Sequence, residues 1–180
     1  AGETKYSWKG SSFSIWQSVL KVNSDRKLKG VEQYMDSITE GKEYWAIVID
    51  AGTSKPTSNV GTVLVAQELG TTSASTTGWV GTKNTLDVQL QKDHWYIIGI
   101  AIDSTATRRW YYDYERNFVD FGWGEFHPGS YYDKNNPPDS TFSGAYPSSI
   151  IMIPTKIYLE RISDTNPPTI TLTGASIDWT

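Results

Sequence analysis

His94-Trp95-Tyr96-Ile97-Ile98-Gly99-Ile100-Ala101-Ile102-Asp103 reads as a β-strand with two apolar faces, and that reading decides the fold. Successive side chains of a strand point to opposite sides of its sheet. One parity here carries Tyr96, Ile98, Ile100 and Ile102; the other carries Trp95, Ile97, Gly99 and Ala101. A surface strand would show one polar row, so two apolar rows predict a central strand covered on both sides. Gly99 and Ala101 leave a shallow depression beside Trp95, suited to a packed ring or to a groove.

Downstream comes a short basic turn (104–109), an aromatic strand from Trp110 to Glu115, and a Gly- and aromatic-rich loop from Val119 to Asp133. Trp110, Tyr112 and Tyr114 share one parity of that strand and are expected in the core, because rings bury a large area each. Arg109, Tyr111, Asp113 and Glu115 share the other, spaced about 6.7 Å apart. A tyrosine between an arginine and a carboxylate at that spacing suits a sugar platform.

Upstream the same alternation recurs. Ile15 and Val19 oppose Trp16, Leu20 and Val22; Leu28 and Tyr34 fall on the parity opposite Val31 and Met35, with Gly30 marking a bulge. Trp45, Ile47 and Ile49 oppose Tyr44, Ala46 and Val48. Leu86, Val88 and Leu90 point inward while Thr85, Asp87, Gln89 and Gln91 point out. Glu40-Gly41-Lys42 and Gln91-Lys92-Asp93 read as turns, and 133–149, with its prolines and Asx residues, as a long loop. Two closing strands follow, around 149–153 and 155–162. Short strands every ten residues or so, with little or no helix, predict an all-β antiparallel β-sandwich of jelly-roll-like type.

The chain has 180 residues, enough for one ordinary domain with a core of its own. The formal net charge of −4 and the lack of a basic run give a nucleic acid no electrostatic purchase. No apolar run approaches the ~18 residues of a transmembrane helix. The absence of cysteine removes disulfides, thiol catalysis and thiolate metal sites together. Abundant Trp, Tyr, Thr, Ser and Gly suit an extracellular β module better than a helical enzyme.

Residues 10–162 resemble a group of secreted bacterial β-sandwich modules found in multidomain surface proteins. Gly78-Trp79 before an amphipathic strand, Tyr96-Ile97-Ile98-Gly99 and the later Phe121-Gly122 carry the likeness. It implies an accessory or adhesive role and no reaction. Asp164-Thr165-Asn166-Pro167-Pro168 followed by Thr169-Ile170-Thr171-Leu172-Thr173 resembles the linker and first strand of bacterial immunoglobulin-like repeats. The expected organisation is a sandwich over 1–163 and a Pro-rich segment over 164–180, which either closes the same sandwich or opens a following module.

No Gly-x-Ser-x-Gly elbow, His-Glu-x-x-His pair or phosphate-cradling loop occurs, and the only histidines are His94 and His127. A small jelly-roll glycoside hydrolase would need two carboxylates across a groove, with Asp113, Glu115, Asp120 and Glu125 as candidates by location. Solvated surface carboxylates are the plainer reading, so no enzyme is expected. The expected function is a non-catalytic carbohydrate-binding module, in which rings such as Tyr111, Trp123 and Tyr132 stack on sugar faces while Arg109, Asp113 and Asn135 bond hydroxyls. The alternative is a structural or adhesive module of a bacterial surface protein or filament that binds neighbouring modules by its strand edges. Asp133, Asn135 and Asp139 offer hard oxygens to a structural calcium ion in the long loop.

Overall fold

The structure is a computed structural model, and it describes residues 4–8, 13–38, 40–56, 61–73, 76–103, 108–114, 118–129, 131–134 and 151–162. Among the described residues fourteen strands run in chain order: β1 (Thr4–Trp8), β2 (Phe13–Val22), β3 (Arg26–Ile38), β4 (Glu43–Gly52), β5 (Thr62–Thr71), β6 (Thr76–Thr82) and β7 (Val88–Leu90). They continue with β8 (Trp95–Asp103), β9 (Arg108–Tyr114), β10 (Val119–Asp120), β11 (Gly124–His127), β12 (Tyr131–Lys134), β13 (Ile151–Met152) and β14 (Thr155–Arg161). Among the described residues there is no helix, and so none long and apolar enough to cross a membrane.

The strands form two antiparallel sheets packed as a sandwich. The first is built on the long strand β3, which pairs with β14 and β9 and, elsewhere along its length, with β6 and β7; β1 and β13 pair with β9. The second runs β10-β11-β2-β8-β4-β5, with β12 also on β2. The chain passes back and forth between the sheets, as expected of an antiparallel β-sandwich.

Strand β8 is central, between β2 and β4, and buried on both faces. Tyr96, Ile98, Ile100 and Ile102 enter the core between the sheets with Leu20, Val22, Ala46 and Val48 of the same sheet and Leu28, Val31, Met35, Leu86 and Leu90 of the other. Trp95, Ile97 and Ala101 enter a second cluster on the far face of the second sheet with Ile15, Val19, Ile47 and Ile49. The depression at Gly99 and Ala101 therefore belongs to a packed face: Trp45 stands opposite Ala101 and packs on this cluster. The buried Tyr96 phenol is satisfied, because its oxygen accepts from the Gln91 amide at 2.6 Å.

The bulge expected at Gly30 is present and changes one assignment. On β14, Tyr158 pairs with Gly30 and Leu159 pairs with Leu28, so Lys29 has no partner there. The extra residue turns Leu28 into the core beside Val31 and Met35, rather than onto the opposite face with Tyr34. The Lys29 carbonyl freed by the bulge accepts from the Leu86 amide at 2.9 Å. Both expected turns form: Gly41 and Lys42 exchange backbone hydrogen bonds with Thr72, and Asp93 adopts φ 62°.

Candidate functional site

Among the described residues two surfaces present aromatic rings to solvent, and they arise from different strands. The first is the outer face of the first sheet. Val31, Gln33 and Met35 of β3 are buried on its inner side, so strand alternation turns Glu32 and Tyr34 outward. Register places Trp79 of β6 opposite Tyr34, Gly81 of β6 opposite Glu32, and Lys156 of β14 also opposite Glu32, on the other edge. The rings of Tyr34 and Trp79 meet edge to face with centroids 5.5 Å apart, and Trp79 remains 38% exposed. The Lys156 ammonium reaches across β3 to lie 4.1 Å from the Trp79 ring centroid.

Glycine makes this meeting sterically open. Gly81 puts no side chain between Trp79 and Lys156, and no other residue fits there: a Cβ would lie 2.0 Å from the Val31 carbonyl oxygen, at φ +144°. Gly30 is similarly excluded from carrying a side chain, with the Thr82 carbonyl oxygen 2.2 Å from a Cβ position. Beside them Tyr158 donates its hydroxyl to Glu32 Oε2 at 2.5 Å, and Glu32 is only 7% exposed. That bond holds the Tyr158 phenol above its ordinary pKa, because ionising it would set two negative charges side by side. The face thus carries two rings, an ammonium, a carboxylate and a phenol around a floor of two glycines.

The second surface is the β10–β11 hairpin. Its turn is tied down by the Gly122 amide donating to Asp120 Oδ1 at 2.8 Å, the Phe121 amide donating to the Gly124 carbonyl at 3.0 Å, and the Asn23 side chain donating to the Gly122 carbonyl. Phe121 and Trp123 stack nearly parallel, with centroids 5.6 Å apart, and Phe121 is 54% exposed. With Val119 and Phe126 they form one wall of a groove of about 440 Å³; Ile153, Pro154, Thr155 and Ile157 of the first sheet form the other. The groove is therefore the open edge of the sandwich, and its lining is mostly apolar.

The opposite face of the hairpin is polar. Val119 pairs with Phe126 on the groove side, whereas Asp120 pairs with Glu125 on the far side, above a cavity of about 100 Å³ that Lys21, Asn23 and Gly124 also line. Asp120 is engaged by the Gly122 amide and Glu125 lies 2.8 Å from His127 Nε2, so both carboxylates have a local structural partner. The His127 ring, 5% exposed, stacks on Phe118 at 4.7 Å and leans on Trp95 at 5.0 Å. Burial lowers its pKa below the ordinary imidazole value, against the opposing pull of Glu125. The other histidine, His94, places Nδ1 3.1 Å from both carboxylate oxygens of Asp50.

The residues singled out from sequence are distributed over both sheets. Arg109 pairs in register with Asp36 of β3 and Ser7 of β1, Tyr111 with Lys5, and Asp113 with Met152. Arg109 thus lies next to the Tyr34 end of the first surface. Trp123 lines the groove of the second. Tyr132 and Asp133 pair with Ile15 and Ser14 of β2, whereas Gly124, beside Trp123, pairs with Val22. Those positions lie seven steps apart along β2, roughly 24 Å, so Tyr132 and Trp123 are not brought together. Asn135 and Asp139 lie outside the described residues, and the calcium expectation with them. Among the described residues no group of three His, Asp or Glu side chains could hold a metal ion.

In the sequence, Gly78-Trp79 stands out and Tyr34 falls on the parity opposite Val31 and Met35, but nothing there joins the two. The link is the β3–β6 register, for which no local sequence signal exists. No protein-family profile, curated protein or solved structure matches the chain.

Proposed function

We propose that this chain is a non-catalytic carbohydrate-binding β-sandwich module of an extracellular or cell-surface protein, and that it binds on the outer face of its first sheet. The observation that carries the reading is Trp79, an exposed ring braced edge-on by Tyr34 on a rigid three-strand platform. A pyranose offers an apolar C–H face to such a ring and hydroxyls to its surroundings. Lys156 supplies a donor beside the ring, and the Tyr158 hydroxyl, oriented by its bond to Glu32, keeps lone pairs with which to accept. Because strands hold these groups, little ordering is lost on binding, which favours even a small contact.

The test is affinity electrophoresis of the folded protein through a panel of polysaccharides, with calcium and with a chelator. Retardation lost in Trp79→Ala and kept in Trp123→Ala and Tyr111→Ala supports the reading. Retardation lost only in Trp123→Ala moves the site to the groove. No retardation by any polymer sinks it.

One observation favours a second reading, that of a structural or adhesive module: Phe118, Val119 and Phe121 are all exposed at the hairpin beside an apolar groove. Concentration-dependent self-association abolished by Phe121→Ser, with no polysaccharide binding, would establish that role in place of the first.

A further inference from the structure

The outer face of the first sheet carries an ammonium where a sugar ring would have to stack. Lys156 lies 4.1 Å from the Trp79 centroid. Its register partner is Glu32, but the Glu32 carboxylate is nearly buried and bonded to Tyr158, and Lys156 makes no ion pair among the described residues. By contrast Lys27 and Lys29, on the neighbouring strand β3, share the carboxylate of Asp87 at 3.1 and 3.0 Å. Among the described lysines of this face, Lys156 is therefore the one whose charge is answered by a ring rather than by an anion.

From this we infer that Lys156 is the specificity-determining residue of the surface and biases it toward saccharides that carry an anionic group, a carboxylate or a sulfate. The inference rests on the carbohydrate-binding reading. A neutral sugar stacking on Trp79 must push the ammonium off the ring into water and so loses the cation–π contact. An anionic sugar displaces it equally, yet offers it a new partner at the ring's edge, so the ammonium exchanges one attraction for another. The difference between the two ligands lies in that exchange. Lysine suits the role because its flexible stem lets the point charge swing aside without moving the backbone.

The experiment compares polygalacturonate with a neutral galactan, by affinity electrophoresis and by calorimetry on oligomers, for the unmodified protein, Lys156→Gln and Trp79→Ala. Lys156→Gln is expected to weaken polygalacturonate binding about three- to fivefold, as for an exposed charge pair, and to leave galactan binding unchanged or tighter. The polygalacturonate affinity of the unmodified protein is expected to fall with added salt more steeply than that of Lys156→Gln. An unchanged preference in Lys156→Gln overturns the inference while leaving the carbohydrate reading in place. Failure of the unmodified protein to bind either polymer, or any other in the panel, overturns both. Lys156→Arg, which keeps the charge, is expected to keep the preference; its loss there as well would place the effect in side-chain shape and also overturn the inference.

Discussion

Tyr34 and Trp79 stand opposite each other across the β3–β6 ladder, 45 positions apart in the chain, and their rings meet at 71° with centroids 5.5 Å apart. An edge-to-face pair of this kind is worth about 0.5–1.5 kcal/mol beyond its buried area. It fixes the orientation of a ring that is 38% exposed and carries the Lys156 ammonium over it. Trp79→Ala should therefore cost about 1 kcal/mol, seen as a fall in Tm of about 2–4 °C for a domain of this size, while the variant keeps its far-ultraviolet circular dichroism. A drop beyond about 10 °C would mean that Trp79 is a core residue rather than a surface platform.

Gly81 is held by two independent constraints, a φ of +144° and a backbone oxygen where a Cβ would go. Relief would require β6 to move away from β3, opening the ladder beneath Trp79. Gly81→Ala is expected to destabilise the fold by about 2–4 kcal/mol, the range of backbone strain joined to a local clash. Chemical denaturation reads this directly, and a loss under about 0.5 kcal/mol would contradict the geometry.

His127, at the end of β11, ties Phe118 at the start of the hairpin to Trp95 of β8 within the second sheet. The charged groups facing its ring are Glu125 on its own strand and Lys55 from the loop after β4. Burial depresses its pKa, so the unfolded chain takes up a proton at a higher pH than the folded protein does. Its contribution to stability is thus complete above the ordinary value of 6.5 and declines as pH falls through the folded value. The stability difference between the protein and His127→Gln should shrink from pH 7.5 to pH 5. A difference that grows over that range would show that the Glu125 bond outweighs desolvation.

Ser18 sits in the wall of β2 that faces the first sheet, and its hydroxyl is buried with no hydrogen-bond partner among the described residues. An unsatisfied buried hydroxyl costs free energy that a methyl group does not. Ser18→Ala is expected to be neutral or to stabilise by up to about 1 kcal/mol, measured as the urea midpoint at unchanged m-value. Clear destabilisation would indicate a partner for the hydroxyl from elsewhere in the chain.

Much of the sandwich was legible because alternation is a local property. The two apolar rows of 94–103 place β8 in the centre, and Leu86, Val88 and Leu90 face the core as their parity requires. The error at Leu28 has the same origin: one bulged residue at Lys29 reverses the parity of everything before it, and a glycine marks a bulge without saying which neighbour it turns. The candidate surface was harder to read. Trp123 does line a groove, but its stacking partner Phe121 and the facing Ile153, Pro154 and Ile157 follow only from how the sheets close.

The amino-acid sequence by itself determined that this protein is an antiparallel β-sandwich, that β8 lies at its centre and that its chemistry excludes thiols. Each follows from residue type and a period of two along a single strand. Only the tertiary structure decided that Tyr34, Trp79 and Lys156 form one surface. They come from three strands far apart in the chain, and their meeting depends on the register of two ladders, a bulge at Lys29 and the missing side chain at Gly81. Register is set by how whole sheets bury their apolar faces, a cooperative outcome that no short stretch of sequence encodes.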